Sequence, residues 1–398
     1  MLLRFKIKNY KSFADEAILD VSATPIKEHN NSLINVNKIN ILPICVIFGA
    51  NASGKSNIFN AFELMKNYIL GNYVNQNYPF LFDSSYLDKP TEFEVCIVNK
   101  ITLKEYRYGF SIYKEEFVEE WLFEKTFSKT YTVEEKCVFY RTNNKLESDL
   151  KNEKNIKEIR FVHSVTNNNE LLITNIGKRD NVTYSYIYNW FKNEAFYLDF
   201  SYANESGILN DQKALKSLYE NNEWLSISKE LINSIDSSII DIQVKKENIS
   251  NCYKVYSIHK DNNNKKIVVP FEIESCGTIK ILTFALLVMK SLTEGHVLLF
   301  DEFDSKLHPL LLRYFIKLYT NKERNVAGGQ LIFSSHNIIC LDSSDLRRDE
   351  IFFVEKKKQK STLFSLYDFK EYNKIRNDLD FNKHYLTGRF GAIPFLDK

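Results

Sequence analysis

The sequence predicts an α/β protein with a mixed or parallel central sheet, and two features support this fold class. In the last third of the chain, apolar strand-like runs alternate with helical patterns, as they do in proteins with a mainly parallel sheet. Near the other end, the apolar run 44–48 predicts a buried strand, which is followed by a loop and by a helical pattern from Asn57 to Leu70. Both ends of the chain are therefore expected to build one α/β unit.

The other elements follow from the spacing of the apolar residues. Leu3, Phe5 and Ile7 alternate with polar residues, which predicts a strand paired with a second one through Leu19. Residues from about 128 to 205 are polar and predict only short helical stretches. We expect further strands at 92–99, 105–113, 117–127, 239–244, 253–259, 267–271, 296–300, 330–334 and 350–354, and helices within 208–236 and at 278–292 and 308–320.

Composition and charge narrow the classes of protein to consider. The chain has 398 residues, 44% hydrophobic and 26% charged, which is typical of two globular domains or of one large domain with an insertion. Basic residues number 53 and acidic residues 51, so a global basic field for nucleic acid is excluded. The apolar run Ile281–Met289 is too short to cross a bilayer, the N-terminus lacks a signal-peptide core, and six scattered cysteines are typical of reduced thiols. We therefore expect a cytoplasmic protein that does not contact a membrane.

The segment Gly49–Ser56, with the sequence GANASGKS, has the pattern of a phosphate-binding loop. Its backbone amides and the N-terminus of the following helix form a positive, concave site for a polyphosphate. Lys55 has the length to reach the β- and γ-phosphates, and Ser56 is a ligand for Mg²⁺. The sequence therefore predicts a site for a nucleoside triphosphate with Mg²⁺. We expect the nucleotide to be bound by Gly49, Asn51, Ser53, Gly54, Lys55, Ser56 and Asn57.

Two carboxylates end the predicted strand near residue 300. Four apolar residues, 297–300, precede Asp301 and Glu302, which is typical of a buried parallel strand whose carboxyl end faces a ligand. Asp301 is then placed to hold the magnesium ion, and Glu302 to polarise the attacking water. The alternative is a strand that ends in acidic surface residues without a function, and the upstream phosphate loop disfavours it.

A second anion site is predicted at the start of the helix that precedes this strand. Ser275, Gly277 and Thr278 offer hydroxyl groups, a backbone amide and the positive end of the helix dipole. Because the chain already has one phosphate loop for its own nucleotide, Ser275 and Gly277 are expected to bind the γ-phosphate held by a second copy. An ordinary capped helix is the alternative interpretation.

Together, these motifs resemble the ATP-binding-cassette (ABC) ATPase heads of the RecF and SMC type, and more closely the bacterial AAA-family abortive-infection ATPases such as AbiLi and RloA. The likeness covers about 1–115 and 250–398. The segments that carry it are Phe5–Phe13, Gly49–Ser56, Lys89–Glu94, Ser275–Thr278, Asp301–Pro309, Phe333–Asn337 and Tyr385–Pro394.

The resemblance implies a P-loop ABC-ATPase head that binds ATP and is divided into three parts. Residues 1–115 form the N-terminal half of the head and 251–398 the C-terminal half. Residues 116–250 form an inserted α+β region, mostly helical, that acts as a lid or binds a partner. The signature at Ser275–Thr278 is shorter than the Leu-Ser-Gly-Gly-Gln of the wider class, and Gln76 is a poor candidate for its glutamine loop.

The resemblance also assigns roles to single residues. His336 corresponds to a switch histidine near the γ-phosphate. Asp304 lies in the loop that touches the opposite subunit in ATP-bound dimers of these ATPases. Lys11 matches a basic residue near the nucleotide or DNA in the wider class.

The expected activity is ATP hydrolysis by a homodimer or higher oligomer that closes on ATP, with Lys55, Glu302 and His336 as catalytic residues. Relatives of this type work beside a separately encoded toxic effector such as a nuclease, so we expect a sensor or scaffold in anti-phage defence. The chain ends at Lys398 soon after the family's tail motif, so a fused nuclease domain is not expected. A RecF- or SMC-like ATPase that binds DNA in repair or maintenance is the alternative, and the near-neutral charge and the missing coiled coil oppose it. A stand-alone nuclease ranks last.

The aromatic residues of the 116–250 region have two interpretations. They form either a partner-binding surface or the core of a small helical and β unit, and the core is favoured. They are Trp121, Phe123, Tyr184, Tyr186, Tyr188, Trp190 and Phe191.

Overall fold

The computed structural model describes residues 1–73, 78–126, 135–142, 145–179, 184–199, 211–247, 252–302, 309–337, 341, 344–369 and 381–392. We number the strands and helices of these residues in chain order. The strands are β1 (Leu2–Lys8), β2 (Ala17–Asp20), β3 (Ile34–Val36), β4 (Ile39–Ile41), β5 (Ile44–Phe48), β6 (Thr91–Asn99), β7 (Lys104–Tyr113), β8 (Glu116–Thr126), β9 (Lys136–Thr142), β10 (Lys145–Glu147), β11 (Ala195–Asp199), β12 (Asp241–Lys246), β13 (Tyr253–Lys260), β14 (Lys266–Pro270), β15 (Val297–Asp301), β16 (Gln330–Ser334), β17 (Ile351–Lys357) and β18 (Lys360–Ser365). The helices are α1 (Lys55–Leu70), α2 (Ser84–Leu87), α3 (Glu153–Ser164), α4 (Leu172–Gly177), α5 (Tyr186–Asn193), α6 (Gln212–Glu220), α7 (Asn222–Ile235), α8 (Cys276–Glu294), α9 (Pro309–Thr320) and α10 (Phe381–Leu386).

The core sheet joins both ends of the chain. Its described strands lie in the order β11-β15-β16-β5-β17-β18, and all neighbours are parallel except the β17–β18 hairpin. Every residue of β5, β15 and β16 is buried. Burial on both faces explains why these strands are continuous apolar runs in the sequence. The predicted α/β fold with a mixed central sheet is confirmed.

A second, antiparallel sheet packs against one face of the core. Its described strands have the order β10-β9-β8-β7-β6-β1-β2. Helix α1 lies between the two sheets and buries Ile58, Phe62 and Met65 there. Phe62 meets Phe5 of β1 edge to face, with ring centroids 5.3 Å apart. Such a pair contributes about 0.5–1.5 kcal/mol beyond the area that it buries, so it helps to fix α1, and with it the loop before α1.

The other face of the core sheet is covered by helices. Phe284 of α8 packs between Phe300 of β15 and Phe315 of α9, at ring-centroid distances of 5.1 and 4.7 Å. Among the described residues, α8 alone is long and apolar enough to cross a membrane by length and composition, but 67% of its most apolar stretch is buried inside the protein. Its position in the hydrophobic core explains that composition.

Residues between 116 and 247 contribute to three different sheets. Strands β8, β9 and β10 extend the antiparallel sheet, β11 forms an edge of the core sheet, and β12 pairs with β13 in a small sheet with β14. The sequence predicted only short helical stretches between about 128 and 205, and this was wrong because β9, β10 and β11 are strands of that segment. Strand β11 has five residues and follows α5 directly. Its pattern is too short to be told from the end of a helix. The three-part division of the chain stays a prediction.

The favoured interpretation of the aromatic residues in this region is confirmed. Trp190 and Phe191 of α5 are fully buried and pack edge to face, with ring centroids 4.9 Å apart. Trp121, Tyr184 and Tyr188 are buried as well. Tyr184, Tyr188, Trp190 and Phe191 therefore build the core beside α1, whereas Trp121 is buried on the antiparallel sheet, where its Nε1 donates to Glu94 Oε2 at 2.9 Å.

Candidate functional site

The carboxyl ends of neighbouring core strands lie in one row. Phe300 of β15 pairs with Phe333 of β16, and the next residue of β16, Ser334, pairs with Ile47 of β5. Only β16 separates the strand that ends in Asp301 from the strand that leads into the Gly49–Ser56 loop. Since neighbouring strands lie about 4.8 Å apart, these two strands are on the order of 10 Å apart. The structure thus brings the loop and Asp301 to the same edge of one sheet.

The loop has a conformation that requires glycine at two positions. Gly54 has a φ of 113°, and a Cβ there would lie 2.6 Å from Ser361 Oγ and 2.7 Å from Ser12 Oγ. A Cβ at Gly49 would lie 2.5 Å from the carbonyl oxygen of Val354. Any side chain at these positions would displace the loop, so the glycines are explained by close packing around it.

Lys55 is the first residue of α1 and folds back over the loop. Its Nζ donates hydrogen bonds to the carbonyl oxygens of Gly49 at 2.8 Å and Ala50 at 3.2 Å. The N-terminus of α1 has no side-chain cap. The Ser53 hydroxyl is buried without a hydrogen-bond partner among the described residues. An uncapped helix start beside an ammonium group and an unsatisfied hydroxyl fits a bound phosphate group.

Of the other residues predicted in the loop, Asn51 is exposed, and Ser56 and Asn57 are partly buried in the first turn of α1. Asn57 Nδ2 donates to Ser12 Oγ at 2.7 Å, so its amide is committed to a contact within the protein. Ser56 lies next to Lys55 at the helix start, where a magnesium ligand is expected.

Ser334 links the two carboxylate residues. Its Oγ donates to Asp301 Oδ1 at 2.6 Å and accepts the backbone N–H of Glu302 at 2.8 Å. Asp301 and Ser334 are buried, whereas the Glu302 side chain is exposed. Glu302 has a φ of 52°, the left-handed conformation that non-glycine residues adopt at a cost and often at functional sites. The buried carboxylate of Asp301 and the exposed carboxylate of Glu302 are therefore adjacent at the sheet edge that holds the loop.

His336 follows β16 and faces a cleft. The cleft has a volume of about 830 Å³. Its walls come from the phosphate loop, the β17–β18 hairpin and α10. Besides His336 they include Asn51, Ser53, Lys356, Lys358 and Tyr385. His336 is thus near the loop, on the side that faces the hairpin.

The start of α8 is at the side of the core sheet where β15 ends. Ser275 caps α8 by accepting the N–H of Thr278 at 3.2 Å, and Ser275 and Gly277 are exposed. Helix α8 packs on β15 and precedes it by a short turn, so it runs antiparallel to that strand. A 19-residue helix is about 28 Å long and a five-residue strand about 16 Å, so the start of α8 extends well beyond the sheet edge.

Nothing within the described chain requires glycine at position 277. A Cβ there would meet only Ser275 Oγ, at 3.7 Å, which is an ordinary contact. This contrasts with Gly49 and Gly54, whose neighbours exclude a side chain.

Three serines of the site were missed by the sequence analysis. They are Ser12, Ser334 and Ser361, which contact the loop or Asp301 and are almost fully buried. For Ser334 a signal was present, since it is the last residue of a strand beside the Asp301 strand. Ser12 belongs to the Phe5–Phe13 segment that carries the resemblance, but no role followed for it from the sequence. Ser361 gave no signal, because it approaches the loop from β18.

The N-terminal motif has mainly a structural role in the described chain. Asn9 is buried, and its Nδ2 donates to the carbonyl oxygens of Tyr86 and Lys89, both at 2.9 Å, while its Oδ1 accepts the N–H of Phe80 at 3.0 Å. Burial lowers the pKa of Lys11, whose Nζ lies over the ring of Tyr10. These contacts hold the β1–β2 turn, and with it Ser12, against the loop.

Asp304 lies outside the described residues, as do Gln76, the remainder of the 303–308 segment and the end of the tail motif at 393–394. The predicted role of Asp304 stays a prediction.

A parallel sheet with a phosphate loop after one buried strand and two carboxylates after another is the arrangement of a P-loop nucleotide-binding domain. A family model described as "AAA domain, putative AbiEii toxin, Type IV TA system" matches residues 44–342. This range is most of the chain, and the protein belongs to that family. The resemblance to AAA-family abortive-infection ATPases is therefore confirmed.

Comparison with curated proteins finds no match. Among solved structures, the chain is similar to the SMC head domain from Thermotoga maritima, with 15% identity, 92% of this chain and 98% of that chain covered, and a TM-score of 0.38. It is also similar to the Smc head domain with an extended coiled coil from Pyrococcus furiosus, solved with the C-terminal domain of ScpA. That comparison gives 14% identity, coverage of 94% and 99%, and a TM-score of 0.45.

Proposed function

We propose that this protein is a Mg²⁺-dependent ATP hydrolase whose two copies close around ATP. The observation that carries the proposal is the common sheet edge of the phosphate loop and the Asp301–Glu302 pair, with β16 alone between their strands. A triphosphate on the loop then lies beside one buried and one exposed carboxylate. These are the groups that hydrolysis of a phosphoanhydride needs.

The residues at this edge fit ATP and its metal ion. Lys55 binds the β- and γ-phosphates after leaving the carbonyl oxygens of Gly49 and Ala50, and the amides of 49–56 bind phosphate oxygens. Ser56 and Asp301 hold Mg²⁺, with the Asp301 carboxylate oriented by Ser334. The metal ion, when bound, neutralises the charge that develops on the transferred phosphoryl group.

Glu302 and His336 act on the water and the γ-phosphate. The Glu302 carboxylate is exposed at the end of β15, so it reaches a water molecule on the open side of the site and accepts its proton. Its backbone is fixed by the bond from its N–H to Ser334 Oγ. His336 lies beside the loop and contacts the γ-phosphate as a switch residue, which is a role carried over from the resemblance.

A second copy completes the site through the start of α8. Ser275 and Gly277 are exposed and extend beyond the sheet edge, and the bare Gly277 backbone leaves space for a close approach of phosphate. We propose that they bind the γ-phosphate held by the partner's loop and that Asp304 contributes to the same contact. ATP then holds the two heads together, and hydrolysis releases them.

The biological role that we propose is regulation in anti-phage defence. The family description names the AbiEii toxin of a type IV toxin–antitoxin system, which supports a link to such systems. The part of a cytoplasmic ATPase that senses infection and controls a separately encoded toxic effector such as a nuclease is carried over from the resemblance. The alternative is a RecF- or SMC-like ATPase that binds DNA in repair, for which a local basic surface would be needed.

ATP hydrolysis by the purified protein tests the proposal. We expect turnover that requires Mg²⁺ and is abolished by Lys55→Ala, whereas Lys157→Ala, on the exposed face of α3, leaves it unchanged. Absence of nucleotide binding by the wild-type protein would refute the proposal. Double-stranded DNA in the assay separates the two roles, because stimulation that falls steeply with salt would favour the repair alternative.

Protection against phage by the native locus tests the defence role. We expect fewer plaques when the locus is present and no protection when it carries Lys55→Ala. Protection that survives this substitution would contradict a role for ATP in defence.

A further inference from the structure

We infer that Ser361 of β18 is a positioning residue for the phosphate loop, which it orients through the carbonyl group of Ser53. The inference rests on the proposed function, because it assigns a task to Ser361 in nucleotide binding. It concerns a residue far from the loop in the chain and outside the motifs that carry the family resemblance.

The contact joins a side chain of one element to the backbone of another. Ser361 Oγ donates a hydrogen bond of 2.5 Å to the carbonyl oxygen of Ser53. Both residues are about 4% exposed, so water does not compete for this carbonyl group. Ser361 Oγ also lies 2.6 Å from the position that a Cβ on Gly54 would take, so Ser361 packs directly on the glycine.

The contact also fixes the direction of the Gly54 N–H, because this N–H and the Ser53 carbonyl group belong to one peptide group. A trans peptide is planar, and its C=O and N–H bonds point in opposite directions. Because Ser361 holds the Ser53 carbonyl toward β18, the N–H of Gly54 is directed away from β18. Gly54 is the last residue before α1, and its N–H belongs to the row of amides that is expected to surround the phosphates.

A second serine, Ser12 in the turn after β1, bonds both Ser361 and the first turn of α1. Ser12 O accepts the backbone N–H of Ser361 at 2.8 Å, and Ser12 Oγ accepts Asn57 Nδ2 at 2.7 Å. The turn after β1, the start of α1 and β18 are therefore tied together around Gly54. Gly54 has a φ of 113°, and because a glycine populates many backbone conformations, the loop depends on these neighbours to stay in this one.

The same strand connects the loop to the cleft. Ser361 follows the turn at Lys358–Gln359, and residues of this turn line the cleft beside the loop. A displacement of the hairpin by a ligand or partner at the cleft would move Ser361, and with it the Ser53–Gly54 peptide. Ser361 thus makes the affinity for nucleotide depend on the position of the β17–β18 hairpin.

Nucleotide affinity and turnover of Ser361→Ala test the inference. We expect the Kd for ATP and the KM to rise about tenfold, the loss expected when one aligned donor to a charged phosphate is no longer held in place, with kcat within about twofold of wild type. Ser365→Ala is the matched control, because Ser365 is a buried serine of the same strand whose Oγ bonds Asp368 at 3.1 Å. We expect it to bind ATP as the wild type does.

Two further variants complete the test. Ser361→Thr distinguishes a positioning role of the hydroxyl group from a packing role of the side chain, and Lys55→Ala tests the proposed function itself. Ser361→Thr keeps the hydroxyl group, so we expect its Kd to lie within about threefold of wild type, and equal losses in Ser361→Thr and Ser361→Ala would overturn the inference. An unchanged Kd in Ser361→Ala would overturn it as well, provided that Lys55→Ala abolishes binding. If Lys55→Ala also binds ATP normally, the proposed function itself fails.

Hydrogen exchange shows whether Ser361→Ala loosens the loop alone or the whole fold. We expect Ser361→Ala, which removes the bond to the Ser53 carbonyl group, to raise the amide exchange of residues 49–57 while the exchange of β6 and β7 stays unchanged. Exchange that rises equally throughout the protein, or nowhere, would overturn the inference.

Discussion

Ser334 Oγ donates a hydrogen bond of 2.6 Å to Asp301 Oδ1 and accepts the backbone N–H of Glu302 at 2.8 Å. One buried hydroxyl thereby fixes both the carboxylate that is expected to hold Mg²⁺ and the backbone of the residue that is expected to activate water. Groups around a metal ligand orient it and commonly affect metal affinity by 10- to 100-fold.

Replacing Ser334 by alanine should therefore weaken metal binding. We expect Ser334→Ala to raise the Mg²⁺ concentration needed for half-maximal ATP hydrolysis by about tenfold, because the Asp301 carboxylate loses its fixed orientation. Titration of the activity with Mg²⁺ at saturating ATP measures this. Ser291→Ala is the control. Ser291 is equally buried, but its hydroxyl group bonds the carbonyl oxygen of His296 near the C-terminal end of α8. Identical titrations for Ser334→Ala and wild type would contradict the role of Ser334.

Glu302→Gln should separate binding from hydrolysis. The glutamine side chain is isosteric but does not accept a proton, so we expect ATP to bind with unchanged affinity while kcat falls by about 10² or more. The closed dimer should then accumulate, and light scattering should give twice the monomer mass with ATP and the monomer mass without it. Hydrolysis at the wild-type rate would exclude Glu302 as the base, and a monomer at saturating ATP would exclude closure by this route.

Glu350 should make the stability of the protein depend on pH. Burial raises the pKa of its carboxyl group to about 8, with Asp349 adding to the shift. Glu350 Oε2 accepts the N–H of Arg347 at 2.8 Å, and Oε1 has no hydrogen-bond partner within the described residues. The folded protein thus holds this proton more tightly than the unfolded chain, in which the pKa is near 4.5.

The sign of the effect follows from this difference. Stability should fall as the pH rises from about 4.5 to about 8, by an amount on the order of a few kcal/mol, and should not change further above that range. The glutamine in Glu350→Gln does not titrate. The free energy of unfolding of this variant, relative to that of the wild type, should therefore increase between pH 5 and pH 8. Urea denaturation across this range measures the difference. Parallel curves for the two proteins would show that Glu350 has an ordinary pKa.

Arg141 should be needed for the stability of the antiparallel sheet. Its guanidinium pairs with Glu120 at 3.2 Å, and both side chains are buried. Burial raises the pKa of Glu120, which the charge of Arg141 opposes. Arg141→Ala leaves the buried Glu120 with neutral hydrogen-bond donors alone among the described residues, from Tyr108, Leu172 and Ile173, and without a positive charge beside it. We therefore expect a loss of about 3–5 kcal/mol in the free energy of unfolding. The exposed pair of Lys157 and Glu153 is the control, and Lys157→Ala should change stability by less than about 0.5 kcal/mol.

The elements of the core were predictable because burial imposes a pattern on the sequence. Strand β15 is predicted within one residue of its observed bounds because both of its faces are buried and every residue before Asp301 is apolar. Strand β11 was missed because it is short, lies at an edge of the sheet and has several half-buried residues. Its pairing in register with β15 depends on contacts that are distant in the chain.

The residues of the site also include some that the sequence could predict and some that it could not. Lys55 and Asp301 were predictable because their chemistry requires fixed residue types after a strand. Ser12 and Ser361 were not, since their task depends on which elements pack against the loop, and serine occurs at many positions without such a task. Gly277 shows the reverse case, a residue that was predicted from its motif and that no contact within the described chain explains.

The central claim is that one copy's phosphate loop and another copy's α8 form a single ATP site. Gly277→Asp should fold normally, because the position is exposed and a carboxylate in the first turn of a helix is favourable, but it should repel the partner's γ-phosphate. Lys55→Ala and Gly277→Asp should each be inactive alone, since each damages both sites of a homodimer.

Mixing these two variants tests the claim most directly. A mixed dimer pairs the intact loop of Gly277→Asp with the intact α8 of Lys55→Ala, so activity should return, to about a quarter of the wild-type level for random pairing. A mixture of Lys55→Ala with Glu302→Gln is the control and should stay inactive, because both substitutions damage the same half of the site. Recovery in the first mixture alone is the predicted result. An inactive first mixture, or full activity of Gly277→Asp by itself, would contradict the shared site.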